Sequence, residues 1–292
     1  MFYLVGLGLG DAKDITVKGL EIVRRAKRVY LEAYTSILTV GKEALEAYYG
    51  RKVILADREM VEQVSDELMA DSDIEDIAFL VVGDPLGATT HTDLILRATE
   101  KGIPYHVIHN ASIINAIGCC GLQLYNYGEV VSIVFWSDDW KPESFYDKIL
   151  TNKKRGLHTL CLLDIKMKEQ TIENLMKGRP VFEPPRFLSA SLAAQQLLEI
   201  IRNRKEESSS ALTADSICVA VARVGSQDQK IVAATLEEMS TTDMGTPLHS
   251  LRTHHKQGLL IQRELFPTEI NQSSTRVGQA WAKMTLRNTK QK

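Results

Sequence analysis

A strand that breaks into glycine at alternate positions leaves the chain around it few options. Phe2-Tyr3-Leu4-Val5 is an apolar strand run that passes directly into Gly6-Leu7-Gly8-Leu9-Gly10-Asp11. Glycine lacks Cβ, so such a turn tolerates positive φ and close approach by another group. The turn therefore reads as one built to let a ligand touch backbone. A dinucleotide loop requires G-x-G-x-x-G, and here Asp11 stands where the third glycine belongs. A carboxylate in that place repels a pyrophosphate, so the pattern predicts a different ligand.

The chain up to Trp136 keeps a strict grammar. Strand patterns at Phe2–Leu7, Arg28–Glu32, Lys52–Leu55, Ile77–Val82, Tyr105–Ile108 and Val130–Trp136 alternate with helical patterns at Thr16–Ala26, Arg58–Ala70, Thr92–Lys101 and Ser112–Cys119. Alternation of this kind predicts βαβ units and a mostly parallel sheet. Ligands of such sheets lie beyond the carboxyl ends of the strands. Three polar or glycine-rich loops fall at those ends: Gly6–Asp11, Gly83–His91 and His109–Ser112.

After Trp136 the pattern changes. Helices are expected at Glu143–Leu150, Lys168–Lys177 and Ser189–Arg204, a strand at Thr159–Ile165, and a hairpin at Ile217–Val224 and Lys230–Thr235. The polar stretch 203–215 reads as a solvated loop. This predicts an α/β protein of two domains, 1–138 with the mostly parallel sheet and 139–251 with antiparallel pairs, and then a segment 252–292.

Composition narrows the classes. The 292 residues carry a formal net charge of −2, with 44% hydrophobic and 25% charged residues, ordinary for a globular chain. Nucleic-acid binding by bulk electrostatics would show as a basic domain or stripe. No apolar run approaches the roughly 20 residues of a membrane span, and the N-terminus lacks signal-peptide features. A cytoplasmic protein is expected. Cys119, Cys120, Cys161 and Cys218 show no C-x-x-C spacing, so they read as reduced structural thiols rather than a zinc or dithiol site.

Two further loops carry candidate chemistry. In Gly83-Asp84-Pro85-Leu86-Gly87-Ala88-Thr89-Thr90-His91, Pro85 biases Asp84 toward extended geometry and Gly87 permits a tight turn. An Asp before Pro is often a turn former, but beside the Asp11 loop a ligand-facing role is the better reading. In His109-Asn110-Ala111-Ser112-Ile113, Ser112 or Asn110 caps a helix, or a helix amide meets a polar ligand group. His91, His106, His109 and His158 share no metal-ligand spacing, and no metal is expected. Nucleophile-elbow, zinc-protease and P-loop motifs are all absent.

Five motifs in order carry a resemblance: Gly6-Leu-Gly-Leu-Gly-Asp11, Tyr30-Leu-Glu-Ala-Tyr-Thr35, Gly83-Asp-Pro-Leu-Gly-Ala-Thr-Thr-His91, His109-Asn-Ala-Ser-Ile113 and Glu183-Pro-Pro-Arg186. Together they resemble the diphthine synthase family, of the tetrapyrrole-methylase-like fold, from residue 1 to about Leu251. The resemblance implies two α/β domains with S-adenosylmethionine (S-adenosylhomocysteine as product) in the cleft between them, and a homodimer. It implies methylation of the modified histidine of translation elongation factor 2, with an amine and a carboxylate as acceptors. Cofactor contacts are implied at Leu9, Asp84, Gly87, Ser112 and Ile113 from the first domain and at Leu163, Val224 and His249 from the second. No catalytic side chain is assigned. A tetrapyrrole methyltransferase of the same fold is the alternative substrate reading.

The resemblance stops after Pro247-Leu-His-Ser-Leu251. Arg252 stands where an apolar residue should continue the strand carrying His249, and burying an unpaired charge is costly. The expectation is that this last strand is lost or poorly packed, leaving a cofactor-binding chain weakened in catalysis. Leu259-Leu-Ile261 is the alternative source of a strand.

Overall fold

A computed structural model describes residues 1–253 apart from 36, 37, 39, 180 and 205–210. The first half builds one sheet from β1 (Phe2–Gly6), β2 (Arg28–Glu32), β3 (Ile54–Ala56), β4 (Ile77–Val81) and β5 (Tyr105–Ile108), in the order β3-β2-β4-β1-β5. Every pairing is parallel. Every residue of β1 and β4 is buried, because helices cover both faces of a parallel sheet. Side chains alternate across β1, sending Phe2 and Leu4 into one apolar cluster and Tyr3 and Val5 into another.

The helices of this half are α1 (Val17–Arg25), α2 (Lys42–Tyr49), α3 (Arg58–Glu62), α4 (Ser65–Met69), α5 (Thr92–Glu100) and the short α6 (Ile113–Ala116). Thr16 caps α1 by accepting from the Gly19 amide, and Gly50 ends α2 at φ 71°. One helix expected over Arg58–Ala70 is two, because the chain leaves helical geometry at Val64 (φ −119°, ψ 32°).

The second half begins earlier than the sequence pattern predicts. β6 (Val131–Ile133), expected with the first sheet, pairs in parallel with β7 (Thr159–Leu163) at the edge of a second sheet. After α7 (Ser144–Lys154), an excursion from β7 carries β8 (Ile165–Lys166), α8 (Ile172–Met176) and β9 (Arg186–Phe187), with β8 and β9 forming a separate ribbon. Then come α9 (Ala190–Arg204), β10 (Ile217–Ala222), β11 (Lys230–Thr235), α10 (Leu236–Met239) and β12 (His249–Thr253), in the sheet order β11-β10-β12-β7-β6.

β12 corrects the expectation of a lost strand. It pairs antiparallel with β10 and with β7, and runs through Arg252 to Thr253. The central position supplies two rows of backbone hydrogen bonds that do not depend on the side chain at 252. Arg252 is fully buried, donating to Cys120 Sγ at 3.3 Å with its guanidinium 5.7 Å from the Tyr127 ring centroid. Leu259–Ile261 and the rest of 254–292 lie outside the described residues.

One face of the second sheet packs on α7, α9 and α10. Its other face receives Ile117, Cys120 and Leu122 from the first half, against Leu160, Val219 and Val221. The two sheets are thereby joined through a shared apolar cluster.

Candidate functional site

Because β1 lies between β4 and β5, the loops after these three strands meet at one edge. Asn110 ties them, donating through Nδ2 to the Gly6 and Asp14 carbonyls at 2.9 Å each. The Asp84 carboxylate accepts from the Asn110 and Leu86 amides (3.0 and 2.9 Å) and lies 2.8 Å from His109 Nδ1. Burial alone would raise that carboxyl, yet the two amides and His109 together hold it below the usual range.

The glycines of the opening turn are explained by protein rather than ligand. A Cβ on Gly6 would stand 2.7 Å from the Gly83 carbonyl, and one on Gly8, at φ 75°, would stand 2.7 Å from Asp14 Cβ. A Cβ on Gly10 would meet the Gly225 carbonyl at 2.3 Å. Gly225 belongs to the second half, so Gly10 is where the two halves touch backbone to backbone. Asp11 is exposed and caps the short helical turn Ala12–Asp14.

Above this contact lies a cavity of about 160 Å³. Leu9, Gly87, Ser112 and Ile113 line it from the first half; Leu163, Val224 and His249 line it from the second. Of the eight residues singled out from the sequence, the structure brings these seven together. Asp84 is not on the wall; it fastens the loops that carry Gly87 and Ser112. Sequence reasoning passes over Thr35, Thr89, Leu162, Ile165, Val221, Arg223, Leu248 and Ser250, which also line the cavity.

Three polar side chains on this wall are already engaged. Thr35 donates to the buried Glu32 carboxylate at 2.9 Å, and Thr89 donates to the Pro85 carbonyl at 2.5 Å. His249 accepts at Nδ1 from the Ala190 amide (3.3 Å), while Nε2 faces the Gly245 and Thr246 carbonyls at 3.2 and 3.0 Å. These partners assign the proton to Nε2, and burial lowers the imidazole below its usual value. Both ring nitrogens are thus occupied in the neutral state. Gly87 is held tight against the opposite loop, since a Cβ there would stand 2.6 Å from Ser112 Oγ.

A family model of the tetrapyrrole (corrin/porphyrin) methylases matches residues 1–240. The chain belongs to the tetrapyrrole methylase family. Among relatives within that family, the diphthine methyl ester synthase of Homo sapiens is 68% identical over 252 residues, covering 86% of this chain and 88% of its own. That of Schizosaccharomyces pombe is 62% identical over 270 residues, covering 92% of each. A crystal structure of diphthine synthase superposes with a TM-score of 0.74 at 31% identity, over 90% of this chain and 93% of the other. A methylase of this family needs a methyl donor.

Proposed function

We propose that this chain transfers methyl groups from S-adenosylmethionine to the modified histidine of translation elongation factor 2, giving diphthine methyl ester and S-adenosylhomocysteine. The observation that carries the reading is the cavity walled by Leu9, Gly87, Ser112 and Ile113 on one side and Leu163, Val224 and His249 on the other. No carboxylate lies on the described wall, so a cationic donor would be held by shape, apolar contact and backbone.

When bound, the donor's sulfonium supplies an already activated methyl group. What the chain's own residues must do is place the reacting atoms, and orientation of that kind is worth roughly 7–11 kcal/mol of a barrier. The Gly10–Gly225 contact fixes the spacing between the walls, and the Gly87–Ser112 contact holds together the two loops of the first wall. His249 has both nitrogens bonded to backbone and therefore orients rather than abstracts a proton. A carboxylate acceptor is ionised near pH 7 and needs no base. An amine acceptor must arrive neutral, and desolvation in the cavity lowers its pKa. No single wall residue is then an indispensable base.

The test is calorimetry with S-adenosylmethionine, then methyl transfer onto elongation factor 2 carrying the unmethylated intermediate, with methyl groups counted by mass spectrometry. Mass gain on that factor supports the reading. Donor binding with methylation of a tetrapyrrole but not of the factor would overturn it. The same reading makes the protein a cytoplasmic homodimer; light scattering checks the oligomer and cell fractionation checks the compartment.

A further inference from the structure

Arg223 is an arginine where glycine would be the easy choice. It comes directly after β10 with φ 50°, a region that side-chain-bearing residues enter only where the surroundings over-determine them. The surroundings here are its own side chain's partners. Nε and Nη2 donate to the Asp228 carbonyl at 3.2 and 2.9 Å, and Nη1 donates to the Met244 and Thr246 carbonyls at 3.0 and 2.5 Å. Nε also meets the Asp228 carboxylate at 2.5 Å, with the Arg223 side chain only 7% exposed. Its backbone amide donates to the Leu248 carbonyl at 2.9 Å, and its carbonyl accepts from Ser226.

These bonds join the two loops that form the second half's wall. One is the turn Val224–Gln229, whose Gly225 presses on Gly10. The other is the segment Met244–Leu248 that leads into His249. The Thr246 carbonyl is shared: it faces Arg223 Nη1 and His249 Nε2 together. Gly245 is confined by the same group, since a Cβ there would stand 3.3 Å from Arg223 Nη1.

We propose that Arg223 is the positioning residue of the donor wall, clamping the 224–229 and 244–248 loops so that Val224, Leu248 and His249 stand in place and His249 keeps its proton on Nε2. A planar guanidinium suits this because its donors are set in a fixed fork; a lysine ammonium cannot span the same carbonyls. The proposal rests on the methyl-donor reading of the cavity, and its test separates the two.

The variants are Arg223→Met and Arg223→Lys, with Asp228→Asn as a milder change that leaves every carbonyl bond available. Nitrogen NMR of His249 in the unliganded protein reads the clamp with no donor present: wild type shows one neutral tautomer, and Arg223→Met a mixture. Calorimetry with S-adenosylmethionine should show the dissociation constant raised at least tenfold in Arg223→Met and partly restored in Arg223→Lys. Asp228→Asn should move in the same direction by a few-fold, which keeps the test sound if Arg223→Met does not fold. In turnover, KM for the donor should rise while kcat at saturating donor stays within about threefold. A single unchanged tautomer, or donor affinity within twofold of wild type in a folded Arg223→Met, overturns the proposal. Wild type that shows one tautomer but binds no S-adenosylmethionine overturns the donor reading instead.

Discussion

At the scale of single residues, His91 sets an acid limit on stability. It is 1% exposed, edge-on to Phe79 and Tyr34, with neither ring nitrogen in hydrogen-bond geometry to a described residue. Burial lowers its pKa from 6.5 to about 4, against an opposing pull from the nearby Pro85 carbonyl. A histidine depressed on folding lends stability that is complete above its unfolded value and is lost as pH falls toward the folded one. The loss should run from about pH 6.5 to pH 4 and reach about 3 kcal/mol. Urea unfolding of His91→Met against wild type over that range checks it: the variant's acid slope should flatten, and an unchanged slope refutes the assignment. Gly10 makes a second case. Gly10→Ala places Cβ against the Gly225 backbone, and overpacking of this kind costs about 1–3 kcal/mol. Calorimetry should also show donor affinity reduced at least tenfold, because the displaced wall carries Leu9.

At the scale of elements, the legible parts are those with local punctuation. The loops after β1, β4 and β5 are readable because Gly, Pro, Asn and Ser mark them, and a parallel sheet sends their ends to one edge. Leu163 and Val224 are not readable from their own residues, since an apolar strand residue looks the same whether it faces a core or a cleft. Arg223 leaves little local signal: beyond Asp228 in the adjoining turn, its partners lie more than twenty positions away, at Met244 and Thr246. The pattern puts β6 in the wrong sheet because pairing partners are chosen by tertiary contact. β12 is the sharpest instance. A charge at 252 argues against a strand, but ladder bonds from both neighbours and the Leu251 side chain hold it. Leu251 is fully buried in the cluster beneath α9, so Leu251→Ala should cost about 2–5 kcal/mol. Chemical denaturation measures this, and a cost below about 1 kcal/mol would show that β12 contributes little to the second half.

At the scale of the whole molecule, contacts among the described residues join the two halves into one unit. The apolar cluster of Ile117, Cys120 and Leu122 on the second sheet is the largest. The Gly10–Gly225 approach adds backbone contact at the cavity itself. Lys168, from the β8–β9 excursion, reaches Asp57 at the start of α3 with 2.9 Å between charges; at 56% and 37% side-chain exposure it is worth at most about 1 kcal/mol. A ligand between such halves should tighten both. Saturation at about a hundred times the dissociation constant adds about 2.7 kcal/mol, or roughly 5–10 °C in melting temperature for a chain of this size. Hydrogen exchange with and without S-adenosylmethionine gives the finer reading. Amides of 83–89 and 111–114 should slow together with those of 221–225 and 244–250, because each pair of segments forms one wall. Protection confined to one pair would mean that the donor sits on one half alone and that the cavity between the sheets is not its site.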